Sequence, residues 1–326
     1  MAAFGIRFDL RNPAFSAVSM AERVDTALEM ASWADDHGAR LIVLAEHHGS
    51  EDGYLPSPLT LGAAVAARTR AATVQIFLVA SFYDPLRLAE DLAILDLISR
   101  GRIDVNLVAG YVPDEFAMFG VPMSERPARM SEVVTTLKAA WTGKPFEYRG
   151  RTIRVSPMPF RHGGPPLTLG GSSEVAARRA ARIGDGFAPN LPNLWQYYRD
   201  ECLKLGKPDP GPARRASAAV TVLSRDPRSA WDELAPYFLH EANAYAAWEA
   251  SRGGEALHRS AVDAEALRKT GVYRVLAPQD YLGELRAAGQ SAFAMLHPMV
   301  GGIPPRLAWP HLRLFEQEIL PGLRRC

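Results

Sequence analysis

At 326 residues, with 48% hydrophobic and 22% charged side chains, the chain has the composition of a globular protein long enough to bury a large core. Its 37 Lys plus Arg against 36 Asp plus Glu leave a net charge of +1, so neither nucleic acid nor a membrane surface has an electrostatic claim as partner. The two cysteines, Cys202 and Cys326, form no CxxC pair and build neither a disulfide framework nor a zinc site. Arg7 and Asp9 come too early for a signal-peptide core, and no apolar run nears the roughly 18 residues of a membrane span. These features point to a soluble, cytoplasmic protein.

Phe4–Leu10 alternates in period two and reads as a strand. Met20–His37 carries apolar residues at helical spacing and stops at Gly38, and Arg40–His47 is a buried strand. Pro58–Arg70 reads as a helix, Thr73–Ala80 as the third strand, and Arg102–Gly110 as the fourth. Between those two strands lies a helix, Pro85–Ser99, with Pro at its start and Gly101 just past its end. Ser124–Trp141 is a helix and Phe146–Val155, with Gly150 in its middle, a hairpin. Pro166–Gly171 and Gly186–Pro189 are strands five and six, separated by a helix over Glu174–Ile183. Ala216–Leu223 and Phe293–Leu296 are strands seven and eight, and Pro305–Ile319 closes the chain as a helix.

Strands alternating with helices of this length imply βαβ units and a parallel sheet, and eight units point to a closed (β/α)8 barrel spanning 1–326 as one domain. The stretch 226–288 is too long for one helix and its loops; it reads as a helical insertion over one end of the barrel, or as a long pair of outer helices.

Active sites of such barrels lie at the C-terminal ends of the strands. Strand two ends in Glu46-His47-His48. Consecutive strand residues point to opposite faces, so the two imidazoles do not converge on a metal, and no metal site is expected; one of them serves better as an acid/base group. Strand four ends in Asn106-Leu107-Val108-Ala109-Gly110. Strand five runs through Gly170-Gly171-Ser172-Ser173 into a helix, where glycines admit an anion and the helix start offers unpaired amides; Ser173 as a plain helix cap is the competing reading. Arg126 is a weaker anion candidate. Tyr111, Asp114 and Glu115 read as loop residues, the carboxylates solvated, and His162, His240, His258, His297 and His311 have no supporting pattern.

Together, AEHH followed by DGYLPSPL, then DPLRLAEDLAILDLISRGR, RIDVNLVAGYVPDEFAMFG, PLTLGGSSEVAARRAARIGDGFA and LRLFEQEILPGLR, in that order, resemble the bacterial-luciferase-like flavin-dependent monooxygenases. The resemblance implies a TIM-like barrel that binds reduced FMN, or the deazaflavin coenzyme F-420, at its strand ends. It implies His47 as the catalytic histidine. Ile76 and Phe77 would carry a non-proline cis peptide under the flavin ring, a bond that costs roughly 3–4 kcal/mol. Asn106, Val108, Gly110, Gly170, Gly171, Ser172 and Ser173 would complete the cofactor site, with the strand-five turn on its phosphate. Luciferase's phosphate-binding arginine is replaced by Ala109, which shifts the anion grip to the Ser172 turn or another arginine. The implied activity is oxygenation of a small organic substrate with O2, fed by a separate flavin reductase, in a homodimer. A deazaflavin-dependent reductase or dehydrogenase and a noncatalytic flavin-binding protein are the alternatives.

Overall fold

A computed structural model describes residues 3–213, 219–252, 260–289 and 292–323. Along the chain the elements run β1 (Ala3–Phe8), α1 (Met20–Asp36), β2 (Leu41–Leu44), α2 (Pro58–Arg68), β3 (Thr73–Val79), α3 (Pro85–Ser99), β4 (Ile103–Val108), α4 (Pro113–Met118) and α5 (Arg126–Ala140). They continue with β5 (Phe146–Tyr148), β6 (Arg151–Ile153), β7 (Leu167–Gly171), α6 (Glu174–Ile183), β8 (Gly186–Pro189) and α7 (Leu194–Lys204). The last third holds β9 (Val220–Leu223), α8 (Pro227–Arg252), α9 (Ala264–Lys269), β10 (Tyr273–Leu276), α10 (Pro278–Ala288), β11 (Phe293–Leu296), α11 (Pro305–Leu314) and α12 (Leu320–Leu323).

The chain divides into two compact units. Unit 1 takes in Met1–Pro56, Arg68–Ala72 and Ala216–Cys326; unit 2 takes in Ser57–Ala67 and Thr73–Arg215. In unit 1, β1 pairs in parallel with β2 on one side and β11 on the other, and β9 pairs in parallel with β10. In unit 2, β3, β4, β7 and β8 pair in parallel in that order, while β5 and β6 form the antiparallel hairpin expected around Gly150.

Local chemistry explains why these elements begin where they do. Asp84 caps α3 by accepting from the amides of Leu86 and Arg87, with Pro85 in the first turn. Ser19 caps α1 through the Glu22 amide. On β1, Phe4, Ile6 and Phe8 join Ile42, Leu44, Ala294 and Leu296 on a fully buried apolar face, where Phe315 and Trp33 pack against Phe4. The other face of β1 presents Gly5 and Arg7, and Asp9 one step beyond.

Two expectations need adjustment. The stretch 226–288 is not helical throughout, because β10 lies inside it and matches β9 residue for residue from Tyr273↔Val220 to Leu276↔Leu223. Strand seven begins at Val220, and residues 216–218 of the expected strand lie outside the described residues.

His311, on α11, accepts a hydrogen bond at Nδ1 from the Leu223 amide (2.8 Å) and is fully buried, which holds its imidazole down at about 4. A neutral buried histidine makes its full contribution above the unfolded value near 6.5, and stability drains away as pH falls from there toward 4. The urea midpoint is therefore expected to drop between pH 6.5 and 4, by up to about 3 kcal/mol from this group, and His311→Gln should flatten that part of the curve.

Candidate active site

Parallel pairing puts matched residues on the same face, so register sorts the expected cofactor residues of unit 2. Phe77 pairs with Asn106, Asn106 with Thr168, and Thr168 with Gly186. Two residues on, Val79 pairs with Val108, and Gly170 with Ala188. Phe77, Asn106, Val108 and Gly170 therefore share one face of this four-stranded sheet. Ile76 does not: it points the other way with Leu78, Val105 and Leu107, all fully buried. The peptide between Ile76 and Phe77 is also trans, since the cis peptide among the described residues is Ser156–Pro157. Both residues sit in a regular ladder with Val105 and Asn106, and nothing there enforces the cis form.

Glycine is required twice at the strand ends. A Cβ on Gly170 would lie 2.7 Å from Val108 Cγ1. Gly110 has φ +82°, and a Cβ there would meet Val79 Cγ1 at 2.7 Å and the Phe116 ring at 2.8 Å. Beside it, Ser81 donates to the Ala109 carbonyl (3.0 Å), and Arg126 donates from Nη1 to the Gly110 carbonyl (3.0 Å) and from Nε to the Met123 carbonyl (2.8 Å). Gly171 accepts from the Asn190 amide at 3.2 Å. Ser172 and Ser173 are exposed at the start of α6, and Ser173 Oγ accepts from the Ala176 amide (3.2 Å), so it does cap the helix. The cap satisfies one amide and leaves others of the first turn without intrahelical acceptors. Two buried polar atoms near these strands, Asn106 Nδ2 and Asn190 Oδ1, have no hydrogen-bond partner among the described residues. Glu115 is buried on α4 rather than solvated on a loop. A cavity of about 350 Å³ lined by Ser81, Asp84, Phe119 and Arg129 includes none of the expected cofactor residues.

His47 belongs to unit 1. Its ring stacks on Trp248 of α8 (4.2 Å, 23°) and meets Tyr54 edge-on at 4.8 Å. His48 Nε2 lies 2.8 Å from Glu46 Oε1; all three residues follow β2, which ends at Leu44 rather than at the expected His47. Around His47 lies a set of residues that sequence reasoning did not single out. The Tyr54 and Tyr245 hydroxyls share a hydrogen bond (3.0 Å), and Arg7 Nη2 donates to the Tyr245 hydroxyl (3.0 Å). The Arg11 guanidinium lies 4.6 Å from the Trp248 ring centroid, 4.9 Å from that of Tyr54 and 5.0 Å from that of Tyr245. Arg11 Nη1 donates to Asp52 Oδ2 (2.5 Å), which also accepts from His240 Nε2 (2.7 Å), while Ser50 donates to Asp52 Oδ1. Asp9 Oδ1 accepts from the Arg11 amide (3.0 Å), and its Oδ2 faces His297 Nε2 at 3.1 Å.

Burial works to raise the Asp52 carboxyl, but hydrogen bonds from His240, Arg11 and Ser50 win and hold it far below the usual carboxylate range. Burial likewise works against Asp9, yet His297, Arg11 and Arg7 hold it at about 2. Burial raises both Tyr54 and Tyr245, which stay neutral hydroxyl donors. Asp9, Glu241 and His297 also bring three potential ligand atoms within 4.8 Å of one another, all buried, a grouping that no spacing in the sequence announces. The legible signal was the pair Arg7 and Asp9, two charges on one face of an otherwise apolar strand. A second was Glu241, Tyr245 and Trp248, at helical spacing on α8.

Residues 4–291 match the family of luciferase-like monooxygenases, and the chain belongs to that family. The monooxygenase RslO1 from Streptomyces bottropensis superposes with a TM-score of 0.77 at 26% identity, covering 98% of this chain and 99% of that one; the chain has the α/β TIM-barrel class of fold. The oxygenating constituent of 3,6-diketocamphane monooxygenase from Pseudomonas putida, solved with FMN, superposes at TM-score 0.69 and 18% identity over 98% of this chain and 99% of that one. In sequence, the FMNH2-dependent dimethylsulfone monooxygenase of Pseudomonas putida is 29% identical over half of each chain. The F420-dependent glucose-6-phosphate dehydrogenase of Nocardia farcinica is 28% identical over 54% of this chain and 56% of that one. The chain spans about half the length of the curated relatives it matches.

Asp52→Asn removes the anionic partner of a fully buried guanidinium and is expected to cost about 3–5 kcal/mol, read as a fall in urea midpoint. Because the folded state lowers the Asp52 and Asp9 carboxyls, their contribution is complete above about pH 5 and lost as the medium is acidified below it. An Asp52→Asn protein should show a shallower acid limb than the parent.

Proposed function

We propose that this chain is a flavin-dependent monooxygenase that binds reduced FMN on the Phe77–Asn106–Val108–Gly170 face and uses O2 to oxygenate a small organic substrate. The observation that carries the cofactor assignment is the pair of unpartnered polar atoms, Asn106 Nδ2 and Asn190 Oδ1, buried in the unit whose strand-five turn leads into α6. One is a donor and one an acceptor, which suits the alternating donor and acceptor edge of an isoalloxazine ring. The absence of Cβ atoms at Gly110 and Gly170 keeps the backbone of β4 and β7 approachable. Amides of Ser172 and Ser173 and the start of α6 receive the phosphate, with Arg126, tethered to the Gly110 carbonyl past the end of β4, as a candidate guanidinium. Gly171 sets the turn that presents them.

When bound, the reduced flavin supplies the two electrons that activate O2. Phe77, Val79 and Val108 exclude water from that face. His47, fixed between Trp248 and Tyr54, moves the proton that turnover requires. The barrel is a single functional domain with 226–288 as an insertion in it.

A separate reductase delivers reduced FMN, which places the pair in the cytoplasm. Among the described residues no helix is long and apolar enough to cross a membrane. The partner copy of a homodimer covers the exposed apolar stripe Ile94, Leu97 and Ile98 on α3, spaced to lie on one helical face. The second reading, an F-420-dependent dehydrogenase, draws on the Nocardia farcinica relative.

Titration of the purified protein with FMNH2 and with reduced F-420 separates the two. Tight FMNH2 binding with substrate-dependent O2 uptake is expected, and binding of the deazaflavin alone with no O2 uptake would replace the monooxygenase by the dehydrogenase. For the dimer, light scattering should show an Ile94→Glu, Ile98→Glu protein as a monomer where the parent is twice that mass.

A further inference from the structure

Three side chains from distant parts of unit 1 bring one atom each into a small buried group. Asp9 follows β1, Glu241 sits on α8 and His297 follows β11. Asp9 Oδ2, Glu241 Oε2 and His297 Nε2 lie within 4.8 Å of one another. The three residues are 1%, 4% and 4% exposed, and none of these atoms has a hydrogen-bond partner among the described residues. None of the three belongs to the Glu46-His47-His48 run from which no metal was expected.

The donors close by are committed elsewhere. The Arg11 amide goes to Asp9 Oδ1, and Arg11 Nη1, His240 and Ser50 all go to Asp52. Arg7 Nη2 donates to the Tyr245 hydroxyl at 3.0 Å and to that of Tyr54 at 3.4 Å. Arg7 Nε and Arg11 Nε and Nη2 have no partners either, so these N–H groups do not reach the two carboxylate oxygens. Carboxylate oxygens buried without donors forfeit their hydration and gain nothing in return. A proton on His297 does not repair this. Its Nε2 stands 3.1 Å from Asp9 Oδ2 without making a hydrogen bond, and Glu241 Oε2 receives no bond from it. A cation serves all three atoms at once, because its attraction has no single direction.

Charge points the same way. Arg11 and Asp52 cancel as an ion pair. What remains is the Arg7 guanidinium against the Asp9 and Glu241 carboxylates beside a neutral imidazole, and that surplus is negative, which selects a cation over an anion. One imidazole nitrogen and two carboxylate oxygens, with no sulfur, suit a first-row divalent ion. Two donors on one such ion, at bonds of about 2.0–2.2 Å, stand about 3–4 Å apart. Asp9 Oδ2 and His297 Nε2 already have that spacing, and closing Glu241 onto the ion takes side-chain movement of about 1 Å.

We propose that Asp9, Glu241 and His297 bind a first-row divalent cation, Zn2+ by preference, which clasps the middle of α8 to the ends of β1 and β11. Three protein donors leave a further position for a water. Tyr245 and Trp248, which wall in His47, follow Glu241 on the same helix by about one and two turns, so the clasp fixes the stretch of α8 that carries them. The site stands without the monooxygenase reading.

The full-length protein, stripped with EDTA, loaded with ZnCl2 or MnCl2 and passed through gel filtration, is assayed for metal by plasma mass spectrometry with no flavin present. About one equivalent of zinc is expected to stay with the protein. X-ray absorption should show nitrogen and oxygen neighbours at about 2.0–2.2 Å and no sulfur. His297→Ala and Glu241→Gln should each lose the zinc, while His162→Ala, at an exposed histidine of unit 2, should keep it. Zn2+ should also raise the melting temperature of the parent, a readout that needs no variant to fold. A parent that retains no metal overturns the proposal, as does zinc retained equally by folded His297→Ala and Glu241→Gln proteins. A sulfur neighbour, or a parent melting temperature that zinc leaves unmoved, does the same. A protein that holds zinc but binds neither FMNH2 nor reduced F-420 fails the functional reading alone, and one that oxygenates substrate yet retains no metal fails the clasp alone.

Discussion

Unit 1 is governed by the need to compensate charges that β1 carries indoors. Period-two alternation puts Phe4, Ile6 and Phe8 on the helix-packed side and leaves Arg7 and Asp9 on the opposite face, which loops and α8 then cover. A guanidinium and a carboxylate in such a place are tolerable only when partners arrive from elsewhere, and they do. Tyr54 comes from the loop after β2, Tyr245 from α8, and His297 from just past β11. Aromatic rings around Arg11 complete the enclosure, and His47 stacks on one of them, Trp248.

Unit 2 solves a different problem with different means. Its parallel strands carry one carboxylate, Asp104, which meets Arg161, and the positions that matter are empty ones: Gly110 and Gly170, where a single methyl would collide with Val79 or Val108. The polar groups facing the proposed cofactor are few: Asn106 within β4, Asn190 just past β8, the first turn of α6 and the tethered Arg126. Space and a few directional groups are what a planar cofactor with an anionic tail calls for.

Much of this was legible in the sequence because it is written locally. Eight of the strands announce themselves by alternation or short apolar runs, and Asp84-Pro85 and Ser173 mark helix starts. What escaped was nonlocal or brief. β10 is four residues long, hidden in an aromatic-rich stretch after Thr270-Gly271, and only its partner β9 makes it a strand. The resemblance implied Ile76 and Phe77 together, as the two sides of one cis peptide, yet neighbours in a regular strand point to opposite faces. The polar layer of unit 1 joins residues as far apart as Arg7 and Tyr245, 238 positions along the chain, and no window on the sequence brings them together. His240 and His297 lacked a pattern for the same reason: each is defined by an aspartate far away.

α8 carries a mechanical implication. A single helix of 26 residues, about 39 Å long at the usual rise, bears His240, Glu241, Tyr245 and Trp248 within its second half. All four follow Pro236, the proline inside α8 that interrupts its hydrogen-bond ladder, and so ride on one segment of it. A displacement of the part of α8 that follows Pro236 would slide all four past β1 in concert, so the geometry at His47 can be retuned by changes in that segment without altering any residue that touches it.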